Sequence, residues 1–103
     1  MDDRHIELKD FQTSFDLPDV ITARMRLAYK GAIAQSYQSE LFMIQRWNAY
    51  RRIGLLTNWQ SKVWPNLDDD ILESDDPQAA NLVIAVVNSV FMKMNELENI
   101  EKK

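Results

Sequence analysis

His5 is the single histidine of this 103-residue chain. Histidine is the side chain most often used as a general base near neutral pH, and a Ser-His-Asp arrangement would have to use it. It stands in a charged N-terminal stretch, MDDRHIELKD, with no nucleophile near it in sequence. We therefore expect His5 to be a solvated side chain, and we predict a non-enzymatic protein with no catalytic residue.

An acidic run, DDDILESDD, spans residues 68–76 and could in principle hold a calcium ion. An EF-hand loop needs a glycine at its sixth position and a glutamate at its twelfth. A loop that began at Asp68 would place Glu73 and Ala79 there instead. The chain also has no cysteine and no glycine-rich phosphate loop. The sequence thus predicts neither a metal site nor a cofactor, and the acidic run is expected to stay in water.

Aromatic and basic residues alternate in the middle of the chain, a combination that can stack on bases and contact phosphates. The residues concerned are Trp47, Tyr50, Arg51, Arg52, Trp59, Lys62 and Trp64. The same aromatics at helical spacing are more often part of a hydrophobic core. The sequence pI of about 4.9 makes nucleic acid the less favoured partner.

Charge is distributed unevenly along the chain. Residues 22–63 hold seven Lys and Arg residues against the single acid Glu40, whereas both flanking segments are acidic. One interpretation is that these charges face each other within a small fold, where exposed pairs contribute little. The other is that the basic middle forms a surface for a polyanion.

Only two glycines and three prolines are present, which favours a few long elements. We predict an all-α fold, a small bundle of three to four helices with an extended N-terminal arm. The arm is assigned to residues 1–18, where Ile6 and Leu8 alternate with polar residues as in a strand, and the single helical domain to residues 19–103.

The predicted helices are placed by their apolar spacing and their capping residues. The first begins near Asp19 and ends or crosses a neighbour near Gly31. The second stretch is expected either as one helix or as two, over 38–53 and 55–64, with Gly54 as the break. Ile71 and Leu72 should attach the following linker to the body. The third helix begins at Asp76, the N-cap, with Pro77 as its first residue.

The third predicted helix is apolar on nearly all sides. Ala80, Val83, Val87, Val90, Met94 and Leu97 form its main stripe. Ile84 and Phe91 should widen that stripe into a core face, which leaves Leu82 and Val86 on the far side. This helix is therefore either central, wrapped on several sides by the first two helices, or half buried at an interface with another chain. Because so small a fold cannot easily surround one helix, the interface through Leu82 and Val86 is predicted beside the central alternative.

The partner-binding residues predicted on this basis are Leu82, Val86, Phe91, Met92, Arg51 and Arg52. The longest charge-free run, residues 77–92, is too short to span a bilayer, which needs about 20 residues. No membrane segment is therefore expected, and we predict a soluble, cytoplasmic protein that can form a homo-oligomer.

Several short motifs resemble those of phage tail assembly chaperones, over residues 15–103. They are Leu17-Pro18-Asp19, Trp59, Pro65-Asn66-Leu67, Asp76-Pro77 and Met94-Asn95-Leu97. The usual final Ile-Pro is replaced here by Ile100-Glu101. The resemblance implies a mostly helical, non-enzymatic protein of the host cytoplasm that keeps the tape measure protein soluble and recruits tail tube subunits.

Two alternatives remain beside the chaperone hypothesis. One is a small helical nucleic-acid-binding module that uses the basic, aromatic-rich residues 22–64. The other is a helical structural subunit that self-associates through its third helix and stays in the particle.

Overall fold

The structure is a computed structural model that describes residues 3–67 and 70–101. Its elements run in the order β1 (His5–Leu8), β2 (Thr13–Asp16), α1 (Ala23–Ser36), α2 (Phe42–Ile53), β3 (Thr57–Ser61) and α3 (Pro77–Glu101). Single 3-10 turns occupy Lys9–Phe11 and Ile71–Glu73. Two residues of the acidic run predicted to stay in water, Asp68 and Asp69, lie outside the described residues.

The all-α prediction is wrong, because three strands form an antiparallel sheet in the order β1-β2-β3. The strand expected around Ile6 and Leu8 is present, but it pairs with β2 instead of lying alone on the helices. Ile6, Phe15 and Leu17 are buried in the same core as the helices. The N-terminal segment is therefore part of the folded body.

Residues 55–64, predicted as a helix, contain β3 instead. Gly54 ends α2 in the left-handed conformation with φ of 89°, and its amide donates to the carbonyls of Tyr50 and Arg51 at 3.2 Å. This left-handed ending is common at helix C-termini and turns the chain out of the helix. The exposed residues Asn58 and Gln60 then alternate with half-buried ones, as in a strand with one face on the core.

The β2–β3 ladder contains one irregularity. Ser14 pairs with Gln60 and Asp16 with Thr57, so β3 carries one extra residue between these pairs. Asn58 lies in that segment with φ of 52°, a left-handed value that asparagine tolerates better than most residues. An extra residue of this kind bends the strand and interrupts regular pairing.

Helix α1 begins later than predicted and continues through Gly31. Thr22 caps it, since its Oγ1 accepts from the amide of Met25 at 3.2 Å, and Asp19 lies outside the helix. Met25, near the start of α1, lies beside Gly54 at the end of α2, and Ser36, at the end of α1, lies beside Arg46 in the first half of α2. The two helices therefore run antiparallel. The rings of Tyr29 and Tyr50 stack between them, 5.6 Å apart.

The predicted start of α3 is confirmed. Pro77 is its first residue, and Oδ1 of Asp76 accepts a hydrogen bond from the Gln78 amide at 2.9 Å. The attachment of the preceding linker is also confirmed, because Ile71 is buried. The sheet and the residues next to it cover one side of α3, and α2 lies along another.

Candidate functional site

Leu82 and Val86 lie in the hydrophobic core, with exposed fractions of 1% and 0%. Leu82 lines a small cavity with Phe11, Val63 and Trp64, next to strands β1 and β3. The prediction that these two side chains face a partner is therefore wrong. The cause is the sheet that the sequence analysis missed, since it shields the side of α3 that the helices alone would leave open.

The apolar residues that α3 does expose lie on a different side. Ile84 is 42% exposed and Phe91 is 38% exposed, although both were expected to widen the core face. They are seven residues apart and so project from the same side of the helix, along its border with α2. Met92, which is 63% exposed, lies next to Phe91 on the solvent side. The predicted stripe residues Val83, Val87, Val90, Met94 and Leu97 are buried as expected, but the core face widens toward Leu82 and Val86 instead of toward Ile84 and Phe91.

Ile84 belongs to an apolar groove of about 310 Å³ between α2 and α3. Met43 and Ile44 form the α2 wall, and the 3-10 turn at Ile71 and Leu72 contributes to the same groove. The remaining lining residues are Ser74, Asp76, Ala79, Ala80, Val83 and Ile84. Its volume lies at the lower end of the range of about 300–1,000 Å³ that is typical of ligand sites.

Local sequence explains why this groove forms. The cap at Asp76 starts α3 directly after the 3-10 turn, which holds Leu72 beside the first turns of the helix. The small residues Ala79 and Ala80 leave space there, whereas Ile44 and Ile84 are large and stand at the borders. Ile44 is 42% exposed, as is Ile84, so apolar side chains from both helices reach solvent at one place.

One end of the groove is acidic. Asp76 lines it directly, and Asp70, Glu73 and Asp75 lie in the same short segment with exposed side chains. Asp76 is engaged as the cap of α3. No ion pair within the described parts of the chain neutralises Asp70, Glu73 or Asp75. The groove is therefore apolar along its length and negative at this end.

Farther along α3, an arginine fills the gap between the two helices. The guanidinium of Arg46 lies 5.1 Å from the ring centre of Phe42 and 6.0 Å from that of Phe91. Its Nε donates to Oγ of Ser36 at 2.9 Å, and that hydroxyl donates to the carbonyl of Ala32. These contacts hold Phe91 against α2 and limit how far the open groove extends.

Arg51 and Arg52 do not join this groove. Arg51 is half-buried, with its guanidinium 5.8 Å from the ring centre of Trp47. Arg52 is exposed and lines a separate groove between α1 and α2, together with Gln45 and Asn48. The six predicted partner-binding residues therefore do not form one site.

The aromatic residues of the basic middle are largely core residues. Trp47 and Tyr50 are buried, and burial raises the pKa of the Tyr50 hydroxyl to about 12. Trp59 stacks on Phe15 at 5.9 Å, and its Nε1 donates to the carbonyl of Trp64 at 2.7 Å. These rings stack on one another and are not presented to bases, which removes the main argument for a nucleic-acid site.

His5 is exposed but not isolated. Its ring forms hydrogen bonds with the carboxylates of Asp16 and Glu7. These bonds raise the pKa of His5 above its ordinary value of 6.5, and the bond with Asp16 has the larger effect. The pKa of Asp16 is lowered, mainly by the hydrogen bond from the Asn58 side-chain amide and to a smaller extent by the hydrogen bond with His5. His5, Asp16 and Asn58 belong to β1, β2 and β3, so their hydrogen bonds connect all three strands at the protein surface.

Among residues 3–67 and 70–101, no group of three or more His, Cys, Asp or Glu side chains is arranged to hold a metal ion. Within the same residues, no helix combines the length and apolar character that crossing a bilayer requires. Comparisons with protein-family profiles, curated proteins and solved structures found no match to this chain. The groove between α2 and α3 is the candidate site on other grounds, because exposed apolar side chains from two helices, Ile44 and Ile84, meet there.

Proposed function

We propose that this protein is a non-enzymatic protein-binding module that holds an apolar segment of a partner in the groove between α2 and α3. The observation that carries the proposal is the joint exposure of Ile44 and Ile84 over an apolar floor. Single exposed apolar residues are ordinary on protein surfaces. Two large ones from different helices beside one groove are what a binding site for an apolar segment requires.

The energetics support a modest but specific contact. Burying a large aliphatic side chain contributes about 1.5–3 kcal/mol, so Ile44 and Ile84 together supply only part of a stable interface. Leu41, which is 58% exposed and one turn before Ile44, extends the apolar surface on the α2 side. Phe91 and Met92, beyond the end of the groove, add exposed apolar surface on α3. A partner that covers these residues as well reaches the size of a transient interface.

The partner class that we propose follows from the resemblance to phage tail assembly chaperones. In that role the protein would bind the tape measure protein, the tail tube protein or both, in the cytoplasm of the infected host. A tape measure protein is a long helical chain with apolar stripes, and a groove between two helices can shield one turn of such a stripe. The three-stranded sheet departs from the mostly helical fold that the resemblance implies.

The test is co-purification with the proteins encoded by the neighbouring genes, above all a tape measure protein encoded immediately downstream. Ile44→Asp and Ile84→Asp should each abolish co-purification, since a carboxylate in the groove would have to be desolvated. Leu27→Asp is the matched control, because Leu27 is 71% exposed on α1 and lies outside the groove. Circular dichroism should show unchanged helix content in all three variants.

Two results would contradict the proposal. One is stable co-purification with Ile44→Asp and Ile84→Asp; the other is equal loss with Leu27→Asp. Sedimentation at increasing protein concentration separates a self-associating subunit from a module that binds another protein. Binding to nucleic acid would instead weaken steeply as salt is raised and would not respond to the groove variants.

A further inference from the structure

We infer that the groove between α2 and α3 receives an amphipathic helix whose basic end lies over residues 70–76. This inference rests on the proposed protein-binding function and adds the chemistry of the partner. It follows from two features of the groove taken together: its walls are helices with apolar side chains, and the border formed by residues 70–76 is negative.

The backbone of the groove favours a helical partner over an extended one. An extended peptide binds mainly through main-chain hydrogen bonds to the free edge of a sheet. Here the walls are α2 and α3, whose amides and carbonyls are used within the helices themselves. A helix needs no such partner, because it satisfies its own backbone and offers only side chains, repeated every three or four residues.

The apolar part of the site matches one face of such a helix. Ile44 of α2 and Ile84 of α3 are its exposed lining residues, and Met43, Leu72 and Val83 line it with more buried side chains. Large apolar residues at positions i, i+3 or i+4, and i+7 of a partner helix can enter between the two isoleucines in succession.

The acidic border selects the charge at one end of that helix. Asp76 and Asp75 already stabilise the N-terminus of α3, through the cap and through the helix dipole. Asp70 and Glu73 have no such role, and no ion pair in the described residues engages either side chain. Two exposed carboxylates beside an apolar groove attract lysine or arginine and repel acidic peptides and nucleic acids.

The inference can be tested with three synthetic helical peptides of about 18 residues, long enough to form a helix. All three carry the same leucine stripe and differ only at one end, which bears two lysines, two glutamines or two glutamates. At low salt the lysine peptide should bind about tenfold more tightly than the glutamate peptide, with the glutamine peptide between them. The difference should shrink as salt is raised, because exposed charges are screened.

Paired variants identify the source of the discrimination. Neutralising half of the acidic border with Asp70→Asn and Glu73→Gln should clearly reduce the difference among the three peptides, while binding itself persists. Asp3→Asn with Asp19→Asn removes the same net charge from exposed residues outside the groove and should leave the discrimination intact. Ile84→Asp should abolish binding of every peptide.

The outcomes separate this inference from the proposed function. Equal binding of the lysine and glutamate peptides, or discrimination that is undiminished when Asp70 and Glu73 are neutralised, overturns the inference. Dimerisation through the groove also overturns the inference, because the occupant is then a second copy of the chain. Conversion of a dimer to a monomer by Ile84→Asp would show this. If no peptide binds while co-purification with a neighbouring gene product still depends on Ile84, the inference fails and the protein-binding function stands. If no peptide binds and co-purification does not depend on Ile84, the inference and the proposed function are both wrong.

Discussion

Nδ1 of His5 lies 2.7 Å from Oδ1 of Asp16, its partner across the β1–β2 ladder. The second carboxylate oxygen of Asp16 accepts from Nδ2 of Asn58 at 2.9 Å, in the segment where β3 carries its extra residue. One aspartate thus connects side chains from all three strands. The end of the sheet at which these residues lie is held by an interaction that depends on protonation.

This cluster makes stability depend on pH. The raised pKa of His5 contributes stability that is complete below 6.5 and is lost as pH rises through the higher folded value. The lowered pKa of Asp16 contributes stability that is complete above 3.8 and is lost as pH falls through the lower folded value. Both contributions are complete together only between pH 3.8 and 6.5.

We therefore expect His5→Gln to lower the free energy of unfolding at about pH 5.5, by less than about 1 kcal/mol because the pair is exposed. At about pH 9 the loss should be smaller, since the histidine is then neutral in both states. Urea unfolding at both pH values measures the difference. A loss of equal size at the two pH values would show that the charge of His5 does not contribute.

The two glycines should respond to alanine with opposite signs. Gly54→Ala forces a side chain into the left-handed region and should lower the free energy of unfolding by about 1–2 kcal/mol. Gly31 lies within α1 and has no atom within 4 Å of an added Cβ, so Gly31→Ala should raise it by about 0.5–1 kcal/mol. Denaturant midpoints of the two variants provide the comparison, and a shift in the same direction for both would contradict it.

Truncation should distinguish the buried side of α3 from the groove side. Leu82→Ala removes a fully buried side chain and should lower the free energy of unfolding by about 2–5 kcal/mol. Ile84→Ala removes a half-exposed one and should lower it by less than about 1 kcal/mol. Thermal unfolding followed by circular dichroism measures both. Equal losses would mean that Ile84 is packed as tightly as Leu82.

The start of α3 offers a test of the capping interaction. Asp76→Ala deletes the acceptor of the Gln78 amide and should lower the free energy of unfolding by about 0.5–2 kcal/mol. Asp75→Ala removes the same charge without a cap and should cost less. Chemical denaturation of the two variants compares their free energies of unfolding. If Asp75→Ala were the more harmful change, the dipole and not the hydrogen bond would dominate.

Features set by a few adjacent residues were predictable. Asp76 followed by Pro77 determines where α3 begins, and the alternation at Ile6 and Leu8 indicates β1. The strand β3 was missed because its outward residues, Asn58 and Gln60, are polar and its single large side chain, Trp59, also fits a helical spacing. β2 was not predicted either, because Phe15 is its one large apolar residue and the strand therefore shows no clear apolar alternation.

The exposed side of α3 could not be predicted from the helix itself. Because its first turns are apolar nearly all round, the spacing of residues does not indicate which side is covered. That choice depends on the sheet, which buries Leu82 and Val86 and leaves Ile84 at the border with α2. The groove therefore results from long-range packing, and only the identity of its acidic border is visible in the sequence.

The extra residue of β3 also bears on how this protein avoids amyloid-like polymerisation. An outer strand with a regular backbone is a template for joining further strands from other molecules. The left-handed turn at Asn58 breaks that template on one border of the sheet, and β1 on the other border is only four residues long, with the charged Glu7 and Lys9 at its end. Both outer strands are therefore poor templates for strands from another copy of the chain.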